Sequence, residues 1–358
     1  MKKRMTFSLI AGVLLSAVAL YLAFRNVPFT EFVQYIKSIN FLWTVPVMAI
    51  AFLSYVFRVY RWAYILSSIR KITFWEAFHP LMIGFMINCV LPGRVGEFAR
   101  PAILQKKDNI PFSAGLATIV VERVFDVIFL VGLFAAVSSV VIINPDTEIT
   151  FGNHHLNSET LDALSGGLMK LGILLIAGII VLSVDKTRAI SSRIIMRIPS
   201  LFSFNSSARE KIMDKVCRSL VNFMENLASG FALIKNFRKV SVCVIFSFIV
   251  WILMACSYYV LTFGCPGIDL SLTEITLVML IVIIFISLPS VPGFWGLWEA
   301  GGVFALSLFG IPLNDAAGFT LVNHFIQVVP VIIIGFISAV VIGINIIQVS
   351  YGETPDSE

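Results

Sequence analysis

Apolar positions along this chain fall into long uninterrupted blocks, not into the short alternating runs of a soluble domain. The runs 7–24, 43–66, 113–143, 167–184, 240–263 and 318–348 are each long enough to cross about 30 Å of hydrocarbon as a helix. Two further apolar stretches, 77–91 and 272–290, run straight into Pro-Gly breaks. The first is 15 residues, about 22 Å at the helical rise. That is too short to cross, and a stretch of this length is typically re-entrant or buried in protein.

The polar segments between the blocks set sides. Residues 185–239 carry eleven Lys and Arg against four acids, whereas 144–166 carry Asp146, Glu148, Glu159 and Asp162 and no Lys or Arg. Basic loops stay in the cytoplasm, so 185–239 is expected inside together with Arg70-Lys71 and the N-terminus, and 144–166 outside. Counting spans forward makes 77–112 a hairpin dipping in from the inside and 272–311 one dipping in from the outside. Both termini are then cytoplasmic. The expected fold class is an all-α polytopic membrane protein with about six full spans and two Pro-Gly-broken helical hairpins.

Composition narrows the function classes. The 358 residues are 58% apolar and 13% charged, with a mean hydropathy of +0.93, where soluble domains carry about 25% charged residues. A soluble enzyme, a disordered tail and a nucleic-acid binder are excluded. The net charge of +5 then reads as a topology signal. Five scattered cysteines and four histidines supply no disulfide framework, metal motif or cofactor site. Met1-Lys2-Lys3-Arg4 before 7–24 resembles a signal peptide, but the many later runs favour a retained first span.

The two breaks share letters. Pro92-Gly93-Arg94-Val95-Gly96-Glu97 and Pro292-Gly293-Phe294-Trp295-Gly296 both read PGxxG, with Glu97 and Glu299 following. With flanking spans of opposite sense, this is the pattern of an inverted-topology repeat whose broken helices meet near the bilayer midplane. A chance recurrence in a Gly- and Pro-rich chain is the bland alternative. The single membrane domain 1–358 divides into the first span and outer loop (1–42), a first half (43–143), an outer loop, span and basic segment (144–239), a second half (240–348) and an acidic tail (349–358). Within 185–239, Ile212, Val216, Leu220, Phe223, Leu227, Phe231 and Ile234 form one helical stripe, a cytoplasmic amphipathic helix that straps the halves together or lies on the membrane.

Charges inside a bilayer cost a few kcal/mol each and need a reason. Arg58 and Arg61, beside Trp62, lie near the end of the second run and are expected to snorkel, with attraction of an anionic headgroup as the alternative. Glu122 and Asp126 share a face, and Arg123 can pair with Asp126, as a structural ion cluster or as a polar wall. Arg94, Glu97 and Arg100 recur at steps of three. If a helix starts just after Pro92-Gly93, its free N–H groups with Arg94 and Arg100 make a phosphate cradle. Glu97 opposes an anion there, unless it is tied to Arg94 or Arg100. Glu299 has no arginine near it in sequence, and an unpaired buried carboxylate favours its protonated form, which makes it a candidate proton acceptor. Asn323, His324 and Gln327 are polar residues in an apolar run and need partners, with a helix–helix hydrogen bond set against a proton-carrying role for His324.

Asn88-x-x-Leu91-Pro92-Gly93-Arg94-x-Gly96-Glu97-x-x-Arg100, Glu122-Arg123-x-x-Asp126 and Pro292-Gly293-x-x-Gly296-x-x-Glu299-Ala300 together resemble the transmembrane domain of the lysylphosphatidylglycerol synthase/flippase family. The resemblance covers the chain from about the second span to the last. It implies a helical protein that moves lipids or lipid-linked intermediates between leaflets of a bacterial or archaeal plasma membrane. Implied partners are membrane lipids and a separate lipid-modifying synthase, with a dimer left open. Two departures stand out: Trp298 replaces an arginine usual before the second glutamate, and Asn323-His324 stands where a Tyr-Arg pair is usual. The chain ends at Glu358 after a short tail, so lysine transfer is not expected of it.

Three functions follow for test. In a lipid flippase, Arg94 and Arg100 hold a phosphate headgroup, Glu97, Glu122, Arg123 and Asp126 line a polar track, and Glu299 is a proton-sensitive gate, with Asn323 and His324 on the opposite wall. A membrane-embedded transferase would use Glu97 or Asp126 as base, but no DxD, HxxxxD or nucleotide loop is present. A small-anion transporter would share the architecture.

Overall fold

The computed structural model describes residues 27–91, 94–141, 149–151, 154–156, 185–200, 216–230, 236–288 and 292–344, with scattered positions in 14–25 and 166–178. Pro92 and Gly93, the tail, and most of the expected spans 7–24 and 167–184 lie outside the described residues.

After α1 (Phe29–Ser38) the chain forms α2 (Thr44–Leu66), α3 (Phe74–Val90), α4 (Gly96–Asp108) and α5 (Phe112–Ser138). A two-stranded antiparallel hairpin follows, β1 (Ile149–Phe151) and β2 (His154–Leu156), with Thr150 opposite His155. It is the departure from an all-helical chain among the described residues. Then come α6 (Asp185–Arg197), α7 (Arg218–Gly230), α8 (Phe237–Thr262), α9 (Leu272–Ser287), α10 (Leu297–Ser307) and α11 (Leu313–Val341). Three helical segments, Phe41–Leu66, Phe237–Thr262 and Leu313–Val341, are long and apolar enough to cross a membrane. α5 matches them with 27 residues but carries Glu122, Arg123 and Asp126 in its middle.

α3 and α9 are shorter, at 17 and 16 residues, about 25 Å each against some 30 Å of hydrocarbon. The same local chemistry starts both. The Thr73 hydroxyl accepts from the Glu76 N–H while the Glu76 carboxylate accepts from the Thr73 N–H, and Ser271 and Glu274 repeat the exchange. Each is a capping box that satisfies two of the helix's free donors. Each short helix ends at a break and folds back as a second one, α4 or α10. A proline, Pro111 or Pro312, then precedes the long helix α5 or α11. The order long helix, capped short helix, Pro-Gly break, short helix, long helix therefore occurs twice.

The halves interlock. α2 packs along α8 and α3 along α11, while α4 packs on α5 as α10 does on α11. The fold-back α3–α4 is close enough to need glycine. The amide N–H of Gly96 donates to the Asn88 side chain at 2.8 Å, and a Cβ on Gly96 would collide with the Gly84 carbonyl. This gives Asn88, eight residues upstream, its place in the first motif. The largest core lies between α8, α9, α10 and α11, and Ala19 and Ala23 of the first run pack on Leu297 and Ala300.

The amphipathic segment is described over α7, which packs on α5. Of its described side chains Cys217 and Met224 are buried, whereas Val216 and Leu220 of the expected stripe stay about half exposed; the side chains of Phe223 and Leu227 are not among those described. The stripe's ends, Ile212, Phe231 and Ile234, lie outside the described residues.

Candidate functional site

Charges scattered over three helices converge between the two breaks. Arg61 is fully buried. Its guanidinium donates to both oxygens of Asp126 at 2.6 and 3.1 Å, to Glu122 at 3.2 Å and to the Ser247 hydroxyl at 2.8 Å. Glu122 also accepts from Arg100 at 2.7 Å and from Arg123 at 3.2 Å, and Arg123 lies 3.4 Å from Asp126. Arg100 stacks on Trp62 at 4.0 Å, and Trp62 donates to the Thr118 hydroxyl at 3.1 Å. The expected Arg123–Asp126 pair is thus present inside a larger network.

The network corrects the snorkelling expected of Arg58 and Arg61. Both are buried, because α2 turns them towards α5 and α8, where carboxylates and an indole receive them. Trp251 of α8 joins the two: its N–H donates to Asp126 at 3.1 Å and its face carries the Arg58 guanidinium at 4.7 Å. Distance along a helix could not reveal Arg61. Glu122 and Asp126 outnumber the one arginine beside them in sequence, and that imbalance was the available signal.

A cavity of about 270 Å³ lies against this network, lined by Arg58, Arg94, Glu97, Arg123 and Asp126 and by Trp251, Trp298 and Gln327. Arg94 adopts the left-handed region (φ 55°) and donates to the Ile286 carbonyl of α9 at 2.9 Å, so the first break touches the end of the helix that leads into the second. The expectation that Arg94, Glu97 and Arg100 project from one helical stripe does not hold. α4 begins at Gly96, which leaves Arg94 in the turn, while Arg100 is drawn behind the cavity wall by Glu122 and Trp62. Nor is Glu97 tied to Arg94 or Arg100; its nearest cation is Arg123 at 3.9 Å.

The second break is built on positive φ at Gly293, Phe294 and Gly296. Glu299 and His324 are both fully buried, so Glu299 is not the unpaired carboxylate of the sequence reading. It accepts from the Gly296 N–H at 2.7 Å and meets His324 Nδ1 at 2.5 Å. His324 Nε2 lies 2.7 Å from the Gly293 carbonyl. A carbonyl can only accept, so this contact makes Nε2 the donor to Gly293, and Nδ1 and the Glu299 carboxylate share the second hydrogen bond. Trp298 stacks on His324 at 4.6 Å with the rings 1° from parallel.

The two halves correspond at these positions. Glu122, Arg123 and Asp126 stand 11, 12 and 15 residues after Pro111, and Asn323, His324 and Gln327 stand 11, 12 and 15 after Pro312. Partners correspond too. Arg123 faces Glu97 and His324 faces Glu299; Asp126 bonds Arg61 of α2, and Gln327 bonds Ser257 of α8 at 3.1 Å. Asn323, in the place of Glu122, is fully buried with no hydrogen-bond partner on either amide atom among the described residues. Of the polar trio, His324 and Gln327 have the partners expected of them.

Comparison with known proteins agrees with the helical architecture and the motifs. Glycosyltransferase AglD of Haloferax volcanii is 28% identical over 133 residues, which are 36% of this chain and 21% of that protein. The chain thus matches about a fifth of that relative's length. The family model described as the lysylphosphatidylglycerol synthase TM region matches residues 9–335. With that match over nearly its whole length, the chain is a membrane protein belonging to the lysylphosphatidylglycerol synthase transmembrane-region family.

Proposed function

We propose that this protein moves a phosphate-bearing lipid, or a lipid-linked phosphate intermediate, between leaflets of the cell inner membrane, with the headgroup held where the two breaks meet. The observation that carries the reading is the cavity between the breaks, lined by Arg58, Arg94 and Arg123. Guanidinium groups favour phosphate by charge and by their paired donors. A volume near 270 Å³ lies just below the usual range for small-molecule sites and suits a headgroup better than a whole lipid. The short helices α3 and α9 would re-enter the membrane from opposite sides, with both termini cytoplasmic, and one half would rock against the other to alternate access. Arg61, Arg100 and Glu122 would hold the helices of the first half, and the Glu299–His324 pair would hold the second break, with Asn323 beside it.

A transferase reading is favoured by one observation, the partial likeness to a glycosyltransferase. Against it, Glu122 and Asp126 each accept from at least two buried donors, and a carboxylate held in that way is a poor general base.

Transbilayer movement of fluorescent phospholipids in proteoliposomes, with and without an imposed pH gradient, tests the proposal. Wild type is expected to move lipid, and Arg94→Gln and Arg58→Gln to lose most of that movement. Folded wild-type protein that moves no lipid class, yet changes a lipid chemically, would replace transport with transfer.

A further inference from the structure

The charges around the cavity do not balance. Arg58, Arg61, Arg94, Arg100 and Arg123 face only three carboxylates, Glu97, Glu122 and Asp126, and Glu299 is engaged by His324 and the Gly296 N–H in the second break. Two positive charges are therefore in surplus, and the geometry locates them. Arg61, Arg100 and Arg123 are each ion-paired. Among the described residues Arg94 bonds only a backbone carbonyl, with Glu97 beyond ion-pair distance. Arg58 is 6% exposed and makes no hydrogen bond or ion pair among the described residues; it has the contact with the Trp251 face and the attraction of Asp126 from beyond ion-pair distance.

An unpaired guanidinium inside a membrane protein is expensive to bury, and here it borders the cavity. The carboxylates have little capacity left for a cation: Glu122 accepts from three arginines and Asp126 from Arg61 twice and from Trp251, which leaves Glu97, 3.9 Å from Arg123, as the least engaged. We infer that the cavity selects headgroups of net negative charge, a phosphate mono- or diester without an amine, and that Arg58 is the residue that determines this selectivity. This rests on reading the cavity as a headgroup site.

The test uses the full chain purified in micelles, with the change in intrinsic tryptophan fluorescence as the readout, Trp251 and Trp298 being the two of the six tryptophans that line the cavity. The probes are short-chain phosphatidic acid, phosphatidylglycerol, phosphatidylethanolamine and lysylphosphatidylglycerol, together with inorganic phosphate. Phosphatidylethanolamine carries the same phosphodiester, so the discrimination comes from repulsion between its ammonium and the surplus guanidinium groups; the two anionic lipids should bind about tenfold or more tightly than phosphatidylethanolamine, with the lysyl lipid weakest. Arg58→Gln should reduce that preference to about twofold, Arg58→Lys should retain part of it, and Glu97→Gln should leave it intact or raise it. Complete competition by inorganic phosphate would identify free phosphate as the source of the recognised group; anionic-lipid binding that phosphate does not displace identifies the lipid. Equal binding of all four lipids, tightest binding of the lysyl lipid, or undiminished preference in Arg58→Gln overturns the selectivity while leaving a headgroup site standing. Folded protein that binds no probe at all overturns the headgroup site itself.

Discussion

Arg58 and Arg61 lie one helical turn apart on α2, and they should respond to the same substitution in opposite ways. Arg61→Leu removes two hydrogen bonds to Asp126 and one each to Glu122 and Ser247, and it leaves two buried carboxylates sharing the remaining arginines. Breaking a buried pair from one side costs about 3–5 kcal/mol, a loss of roughly two to three and a half orders of magnitude in the folding equilibrium. Arg58→Leu removes a buried guanidinium that has no ion pair. It gives up the contact with Trp251, worth about 0.5–2 kcal/mol, and the longer-range attraction of Asp126, and it also relieves the cost of desolvating the charge. Its net effect should lie within about 1 kcal/mol of zero, on either side. Denaturant titration in mixed micelles, read by thiol labelling, measures both, because Cys243 is fully buried and its carbonyl accepts from Ser247, next to Arg61. Equal losses for the two variants would refute the division into a paired structural arginine and an unpaired receptor one.

Gly96→Ala should lower stability by about 1–3 kcal/mol or more, since its Cβ meets the Gly84 carbonyl; a thermal melt in detergent reads this directly. Glu299→Gln should stay within about 1 kcal/mol of wild type, because an amide can accept from Gly296 and donate to His324. His324→Ala leaves Glu299 and the Gly293 carbonyl without that partner and should lose about 1–3 kcal/mol, and similar melts for the two variants would contradict the hydrogen-bonded pair. Thr73→Ala and Ser271→Ala should each cost about 1 kcal/mol. The Thr73 N–H, and then its hydroxyl, hold the Glu76 carboxyl below its usual range, so this box contributes above the ordinary carboxylate pKa and is lost as pH falls through the lowered one. The penalty of Thr73→Ala should therefore shrink in acid, and a penalty that is constant with pH would remove Glu76 from the account.

The long helices and both breaks were legible because hydropathy and Pro-Gly punctuation are local signals. The described helix ends fall within a few residues of the apolar runs, apart from the later parts of 113–143 and 318–348. What escaped was orientation. Arg58 and Arg61 sit near the end of an apolar run, where snorkelling is the ordinary outcome, and only packing against α5 and α8 turns them inward. Arg100 groups with Arg94 only if α4 begins just after Gly93, two residues before its actual start at Gly96. The correspondence of Glu122, Arg123 and Asp126 with Asn323, His324 and Gln327 was present as equal spacing from Pro111 and Pro312. It was hidden because ion pairs in one half are matched by hydrogen-bonded polar pairs in the other. Glu299 looked isolated since its partner lies 25 residues away on the next long helix.

The bond from Trp251 to Asp126 spans 125 residues, and that has a consequence for how the protein is made. Ribosomes add about 5–20 residues per second, so Asp126 leaves the ribosome roughly 6–25 s before the indole that will cap it. Ser247, the hydroxyl that accepts from Arg61, is equally late. Throughout that interval the first half must hold its buried charges with its own arginines, Arg61, Arg100 and Arg123. The ion cluster is therefore a provisional seal for a half-finished chain, and α8 arrives to complete an assembly whose charges are already largely neutralised.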